Sequence, residues 1–180
     1  MSLTEYKKLK SFSTNKNELS YLAIFILIAT GARFGEIQKL QYSDLDYINS
    51  TIHLRGTKTK SSNRIISIAR KDMKHIQNVL NQRPTSINGY IFNTGVNLIS
   101  NKAVTTLFNK FMLNNKINNC TLHSLRHTHA SMLLAKGFSI QYVSKRLGHA
   151  NIEITWRVYS HLLEELKSKE DAKLDNIINF

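Results

Sequence analysis

The chain has 180 residues, 42% of them hydrophobic, with 25 Lys and Arg against 12 Asp and Glu, a formal charge of +13. This size and apolar content exclude a disordered polyelectrolyte and allow one core-forming domain. The charge asks for a polyanionic partner, most simply nucleic acid, whose condensed counterions are released on binding. The single cysteine, Cys120, excludes an intrachain disulfide and a cysteine-based zinc finger, and fits a reducing cytoplasm.

The polar, Lys-rich start shows no secretory signal pattern. The apolar run at 19–29 is too short to cross a bilayer and predicts a central buried helix ended by Gly31. No membrane partner is expected. In TGARFGEIQKL, residues 30–40, Arg33 and Glu36 stand three apart and share a helix face. They read either as a surface ion pair of small value or as a carboxylate holding a guanidinium whose other donors point outward.

TIHLRGTKTKSSNRIISI, residues 51–68, alternates Ile52 and Leu54, then Ile66 and Ile68, around a polar centre. That predicts a β-hairpin with a long basic loop, and residues 90–92 offer a third short strand. Lys58, inside GTKTK, is either a solvated turn residue or a flexible cation able to reach a ligand. Met73, Ile76 and Leu80 mark one helix; Val104, Leu107, Phe108, Phe111 and Met112 mark another, capped by Ser100. Pro84, the only proline, sits in a surface loop.

LHSLRHTHASMLLAKG, residues 122–137, predicts a helix from about His123 to Gly137, and Ser139 caps a following helix that Gly148 ends. His123 and Arg126 point the same way, and Arg126 can fork two N–H groups onto a phosphate. His129 falls on the stripe of Leu122, Leu125, Met132 and Leu133 and reads as core-facing. His127 reads as a structural hydrogen bonder. A metal site from His123, His127 and His129 is set aside: there is no HExxH and no nearby carboxylate, and Arg126 repels a cation. In LGHANIEITWRVYSHL, residues 147–162, His149 follows Gly148 and Tyr159 opens a further helix.

A phenol, two arginines, a lysine and two histidines make a set for metal-free phosphoryl transfer. Cations neutralise charge spreading over the phosphate oxygens, and a proton donor serves the leaving oxygen. Acidic residues do not cluster near these motifs, so no metal and no cofactor are expected. The fold class is α+β, mostly α, with one small antiparallel β-sheet, in a single domain over residues 1–180.

The motifs run in order: TG-x-R-x-x-E at Arg33 and Glu36, the hairpin lysine Lys58, H-x-L-R-H-T at His123 and Arg126, LGH at His149, and Y-x-H at Tyr159. Spanning residues 30–161, they resemble the catalytic domain of tyrosine recombinases, the phage integrase family, in the style of integrases from phages and mobile elements of Gram-positive bacteria. The resemblance implies the DNA breaking-rejoining fold and site-specific DNA recombination through a 3′-phosphotyrosine intermediate. In that scheme Tyr159 attacks the scissile phosphate, and Arg33 and Arg126 clamp its non-bridging oxygens. Lys58 protonates the leaving 5′ oxygen, His123 assists proton transfer with Tyr159, His149 hydrogen-bonds the phosphate, and Glu36 braces the arginine site. Lys60, Arg64 and Arg146 read as further contacts to the DNA backbone or as solvated charges.

The implied partners are double-stranded DNA at attachment or crossover sites, further copies in a homotetrameric synapse of the full-length protein, and an excisionase or DNA-bending host factor. The implied setting is the bacterial cytoplasm, at the nucleoid. Ala32, Phe34 and Trp156 depart from the commoner residues at their positions and read as packing variants. The core-binding and arm-binding domains usual in such integrases are expected to be absent from this chain. The apolar end of DAKLDNIINF is expected to dock on a neighbouring protomer or fold back. Type IB topoisomerase or telomere-resolvase activity would use a similar set of residues. A non-catalytic DNA-binding regulator would instead use the helices around Gly137 as a helix-turn-helix.

Overall fold

Residues 19–30 are apolar on every side, and a helix of that kind is stable only inside a core. In the computed structural model this helix, α2 (Leu19–Thr30), runs through the centre with ten of its twelve residues buried. The structure describes residues 1–56 and 63–178, with the side chains of 165, 166 and 169–178 excepted. Lys58 and Lys60 therefore lie outside the described residues, as do the side chains of the C-terminal tail.

Against α2 pack α1 (Leu3–Phe12), α3 (Phe34–Gln38), α4 (Arg70–Asn81), α5 (Asn101–Asn114) and α6 (Leu122–Ala135), while α7 (Ile140–Leu147) and α8 (Ile152–Ile178) pack on α6 and on each other over a second, smaller core. The expected stripes face inward: Met73, Ile76 and Leu80 on α4, and Val104, Phe108, Phe111 and Met112 on α5. The caps lie where the sequence placed them. Ser100 accepts from the Ala103 N–H, Ser139 accepts from the Tyr142 N–H, and Gly148 ends α7 in the left-handed region.

The sheet is antiparallel, β1 (Leu45–Asp46), β2 (Thr51–Leu54) and β3 (Arg64–Ser67), in the order β1-β2-β3. Ile52 pairs with Ile66, and Leu54 with Arg64. The pleat buries Ile52, Leu54 and Ile66 and leaves Ile65 exposed. The third strand differs from expectation. Residues 45–46 supply it, whereas Tyr90 forms only an isolated bridge to Gln41. Two backbone bonds flank that bridge, Tyr42 N–H to Gly89 C=O and Ile91 N–H to Leu40 C=O, and Ile91 and Phe92 are buried in the core.

The second difference concerns α8. It begins at Ile152, after Asn151 accepts the Glu153 N–H, so Tyr159 lies two turns inside it. There the backbone leaves helical geometry (φ −120°, ψ 15°), and the helix kinks at the phenol-bearing residue.

Candidate active site

The last carbonyls of a helix have no partner within it. At the C-terminus of α2 these groups organise the site. The Tyr6 hydroxyl and His129 Nδ1–H donate to the Ile28 carbonyl at 2.7 and 3.1 Å. Arg146 Nη2 donates to Ala29 O at 3.1 Å, and Arg126 Nη1 to Gly31 O at 2.9 Å. Cations at the negative end of a helix dipole are favourably placed. Gly31 is required twice here: its φ is +66°, and a Cβ would lie 2.7 Å from His129 Cδ2.

Arg126 also donates through Nη2 to Leu147 O at 2.7 Å, capping α7. Its guanidinium thus bridges the C-termini of two helices and is 4% exposed. Of the five N–H groups of an arginine, these two bonds use one each, and no carboxylate pairs with it among the described residues. Burial first, then Arg33, pushes its pKa down to about 10. A buried, unpaired cation with spare donors is costly unless an anion arrives.

Arg126 lines a cavity of about 690 Å³ shared with Arg33, His123, His127, His149 and Tyr159. The fold therefore gathers five of the expected site residues, Arg33, His123, Arg126, His149 and Tyr159, from α6, α8 and the turns before α3 and after α7. Arg33 is half exposed and meets Glu36 Oε1 at 3.3 Å. Lys39 and Arg55, not singled out in the sequence, also line the wall, Arg55 paired with Asp44 at 2.6 Å. The only local signal for either was basic character.

Glu36 is buried, and its carboxylate receives Arg64 on both oxygens, at 3.0 and 3.1 Å, besides the Arg33 backbone N–H at 2.8 Å. Burial alone would raise the Glu36 carboxyl. The hydrogen bonds and charge of Arg64, helped by Arg33, bring it below its ordinary value instead. Arg64 departs from its expected role as a DNA contact. Its side chain is 7% exposed, held by Glu36 and by the Arg146 carbonyl at 2.6 Å. Arg146 departs likewise: its donors go to His129 Nε2, Ser67 O and Ala29 O. Both arginines tie β3 to the helices, because buried carbonyls and a carboxylate claimed their donors first.

His129 is core-facing as expected, and burial with the Arg146 charge depresses its pKa to about 4. It accepts from Arg146 on Nε2 and donates from Nδ1, so it is neutral. His127 is a hydrogen bonder, as expected, and its partner is the Tyr159 hydroxyl, 3.1 Å from its Nδ1. His123 meets the His127 ring edge-on, with centroids 5.0 Å apart. His127 stands four residues after His123 on the same face, but sequence spacing could not tell which of them reaches a phenol 32 residues away. Burial, then His127, Arg126 and Arg33, lowers the His123 pKa. Burial and the same arginines bring His149 down to about 4. Tyr159 is 6% exposed, and burial raises its hydroxyl to about 12 against the pull of Arg126. Among the described residues no group of three His, Cys, Asp or Glu lies close enough to hold a metal ion, and no helix is long and apolar enough to cross a membrane.

Residues 1–165 match the sequence profile of the phage integrase family. The integrase of Staphylococcus phage L54a is 26% identical over 99% of this chain and 60% of its own length. Tyrosine recombinase XerA of Pyrococcus horikoshii is 31% identical over 96% of this chain and 61% of its own. The chain thus spans about three fifths of the length of these curated relatives. A crystal structure of XerA recombinase superposes with a TM-score of 0.79 at 27% identity, over 94% of this chain and 62% of that one. The Tn1549 transposon integrase, solved with circular intermediate DNA, shares the fold at a TM-score of 0.77 and 21% identity, over 97% of this chain and 66% of that one. Fold, motif order and sequence agree: this chain belongs to the phage integrase family, with the fold of the tyrosine recombinase catalytic domain.

Proposed function

We propose that this chain cleaves and rejoins DNA through a 3′-phosphotyrosine link at Tyr159, as the catalytic part of a site-specific recombinase or integrase. The observation that carries this reading is Arg126, buried, without a carboxylate partner among the described residues, and lining the cavity that Tyr159 also lines. A phosphodiester is the anion that satisfies such a fork.

In the forward step the Tyr159 oxygen attacks phosphorus while the bond from phosphorus to the 5′ oxygen breaks. The phenolic proton passes to His127 Nδ1, the group in contact with it. Lys58 delivers a proton to the leaving 5′ oxygen. Arg33, Arg126 and His149 hold the non-bridging oxygens, where negative charge develops, and Glu36 and Arg64 brace this wall. The ester bond keeps the energy of the broken linkage, so the reverse attack by a 5′-hydroxyl reseals a strand without a nucleotide cofactor or metal ion.

The relatives solved with DNA and the charge of +13 support double-stranded DNA as substrate. Recombination would join two sites in a homotetramer of the full-length protein, with core-binding and arm-binding domains completing the clamp. An excisionase or DNA-bending factor would set direction, at the nucleoid in the bacterial cytoplasm.

The test is a nicked suicide duplex carrying the crossover site, with EDTA present. An SDS-resistant adduct is expected from the wild-type chain and none from Tyr159→Phe. Full adduct from the variant overturns the nucleophile. Lys58→Ala is expected to slow cleavage, and a 5′-phosphorothiolate substrate, whose sulfur leaves without a proton, to restore it. Lack of rescue removes Lys58 from the acid role.

A further inference from the structure

Thr155 stands one helical turn before Tyr159 on α8 and is wholly buried. Its hydroxyl lies 2.7 Å from His149 Nδ1 and has no other partner among the described residues. That is unusual for a helical threonine, whose hydroxyl commonly turns back to the carbonyl four residues earlier. Thr30 and Thr128 do so here, bonding Ile26 O and Ser124 O. A buried hydroxyl proton needs an acceptor, and among the described residues the one partner of the Thr155 hydroxyl is the imidazole nitrogen. The hydroxyl therefore donates, and His149 Nδ1 receives with its lone pair. The ring proton of a neutral imidazole then belongs on Nε2.

We propose that Thr155 is a positioning residue that fixes His149 as its Nε2–H tautomer, so that a neutral imidazole presents a hydrogen-bond donor to a phosphate oxygen in the Arg33–Arg126 cavity. The proposal rests on reading that cavity as a phosphodiester site. Nδ1 is occupied by Thr155, which leaves Nε2 as the nitrogen available to the cavity that His149 lines. Burial first, then Arg126 and Arg33, keeps His149 uncharged, and this makes tautomer choice decisive. A neutral ring offers one donor only, and on the wrong nitrogen it would present a lone pair to an anion. The short span from Thr155 to Tyr159 also links the histidine's orientation to the segment that carries the phenol.

The test begins with the ring nitrogens of the 15N-labelled chain, His149 being identified by the signals lost in His149→Gln. The wild-type spectrum is expected to show a protonated Nε2 and an unprotonated Nδ1. Thr155→Val, which keeps the shape and removes the hydroxyl, is expected to give a tautomer mixture, and Thr155→Ser to recover the wild-type pattern. A wild-type Nδ1–H tautomer, or an unchanged spectrum in Thr155→Val, overturns the proposal. On the suicide duplex, Thr155→Val should cleave about ten-fold more slowly, as when an outer partner of a site histidine is lost. Thr155→Ser should regain most of the rate, and Thr155→Val should add nothing in a His149→Gln background. A full additional loss there means that Thr155 acts otherwise than through His149. Failure of wild type to form any adduct would sink the phosphodiester reading, while the nitrogen spectra judge the tautomer independently.

Discussion

Arg64 and Glu36, 28 residues apart in the chain, meet in a two-pronged ion pair at 3.0 and 3.1 Å with both side chains 7% exposed. The pair joins the hairpin that carries the basic loop to the turn that presents Arg33. The Arg146 carbonyl, which Arg64 also holds, brings in the end of α7 just before His149. Removing one partner strands a buried charge. Arg64→Ala should cost about 3–5 kcal/mol in urea unfolding, whereas Arg64→Met with Glu36→Met should cost less than the sum of the single changes. A loss within 0.5 kcal/mol for Arg64→Ala, the range usual for surface sites, would show the pair to be solvated.

Gly31 combines a left-handed φ of +66° with a neighbouring ring 2.7 Å from where a Cβ would stand. Gly31→Ala should therefore destabilise by about 2–4 kcal/mol, from the backbone conformation and from displacement of His129 together. Thermal unfolding measures it. Gly35 supplies the control, because nothing lies within 4 Å of its virtual Cβ and its φ is not positive. Equal effects at both glycines would refute the packing account.

Signals written in neighbouring residues are legible: the buried α2, the Ser100 and Ser139 caps, the Gly148 stop and the two strands of the hairpin. The order of Arg33, His123, Arg126, His149 and Tyr159 was legible as a family pattern, and the fold gathers these side chains around one cavity. What spacing could not encode was which cation spends its donors internally. Arg64 and Arg146 look in the sequence like any exposed arginine beside a basic loop. Only the tertiary arrangement shows that orphan carbonyls at Ala29, Ser67 and Arg146 take their N–H groups. The third strand was misplaced for a related reason, since residues 45–46 pair by proximity to β2 and carry little strand pattern of their own.

His127 lies 3.1 Å from the Tyr159 hydroxyl, and the proposed function gives it the proton transfer that the resemblance implies for His123. His127→Gln should lower the rate of adduct formation about 100-fold, within the range of general-base contributions, with little change in affinity for duplex. His123→Gln leaves the contact between His127 and the phenol in place and should cost less. A larger loss at His123 than at His127 would return the proton-transfer role to His123. Single-turnover cleavage beside a gel-shift titration separates the two effects.

His129 gives the fold a pH dependence whose sign can be worked out. Its pKa is about 4 in the folded protein, depressed by burial and by Arg146, against about 6.5 when unfolded. Below 6.5 the unfolded chain takes up a proton that the folded chain refuses. The stability this histidine contributes is thus intact above pH 6.5 and is lost progressively as pH falls towards 4. A shift of this size corresponds to about 3 kcal/mol at the acid end. The charged groups around it do not reverse the sign: Arg146 donates to its Nε2, Arg126 and Lys10 repel the protonated form, and Tyr6 stays neutral in this range. Urea midpoints at pH 7 and pH 5 should therefore diverge more for the wild type than for His129→Gln. That variant is less stable at pH 7 but has no imidazole to protonate. Equal divergence in the two proteins would mean that other groups, His149 and His123 among them, carry the acid sensitivity.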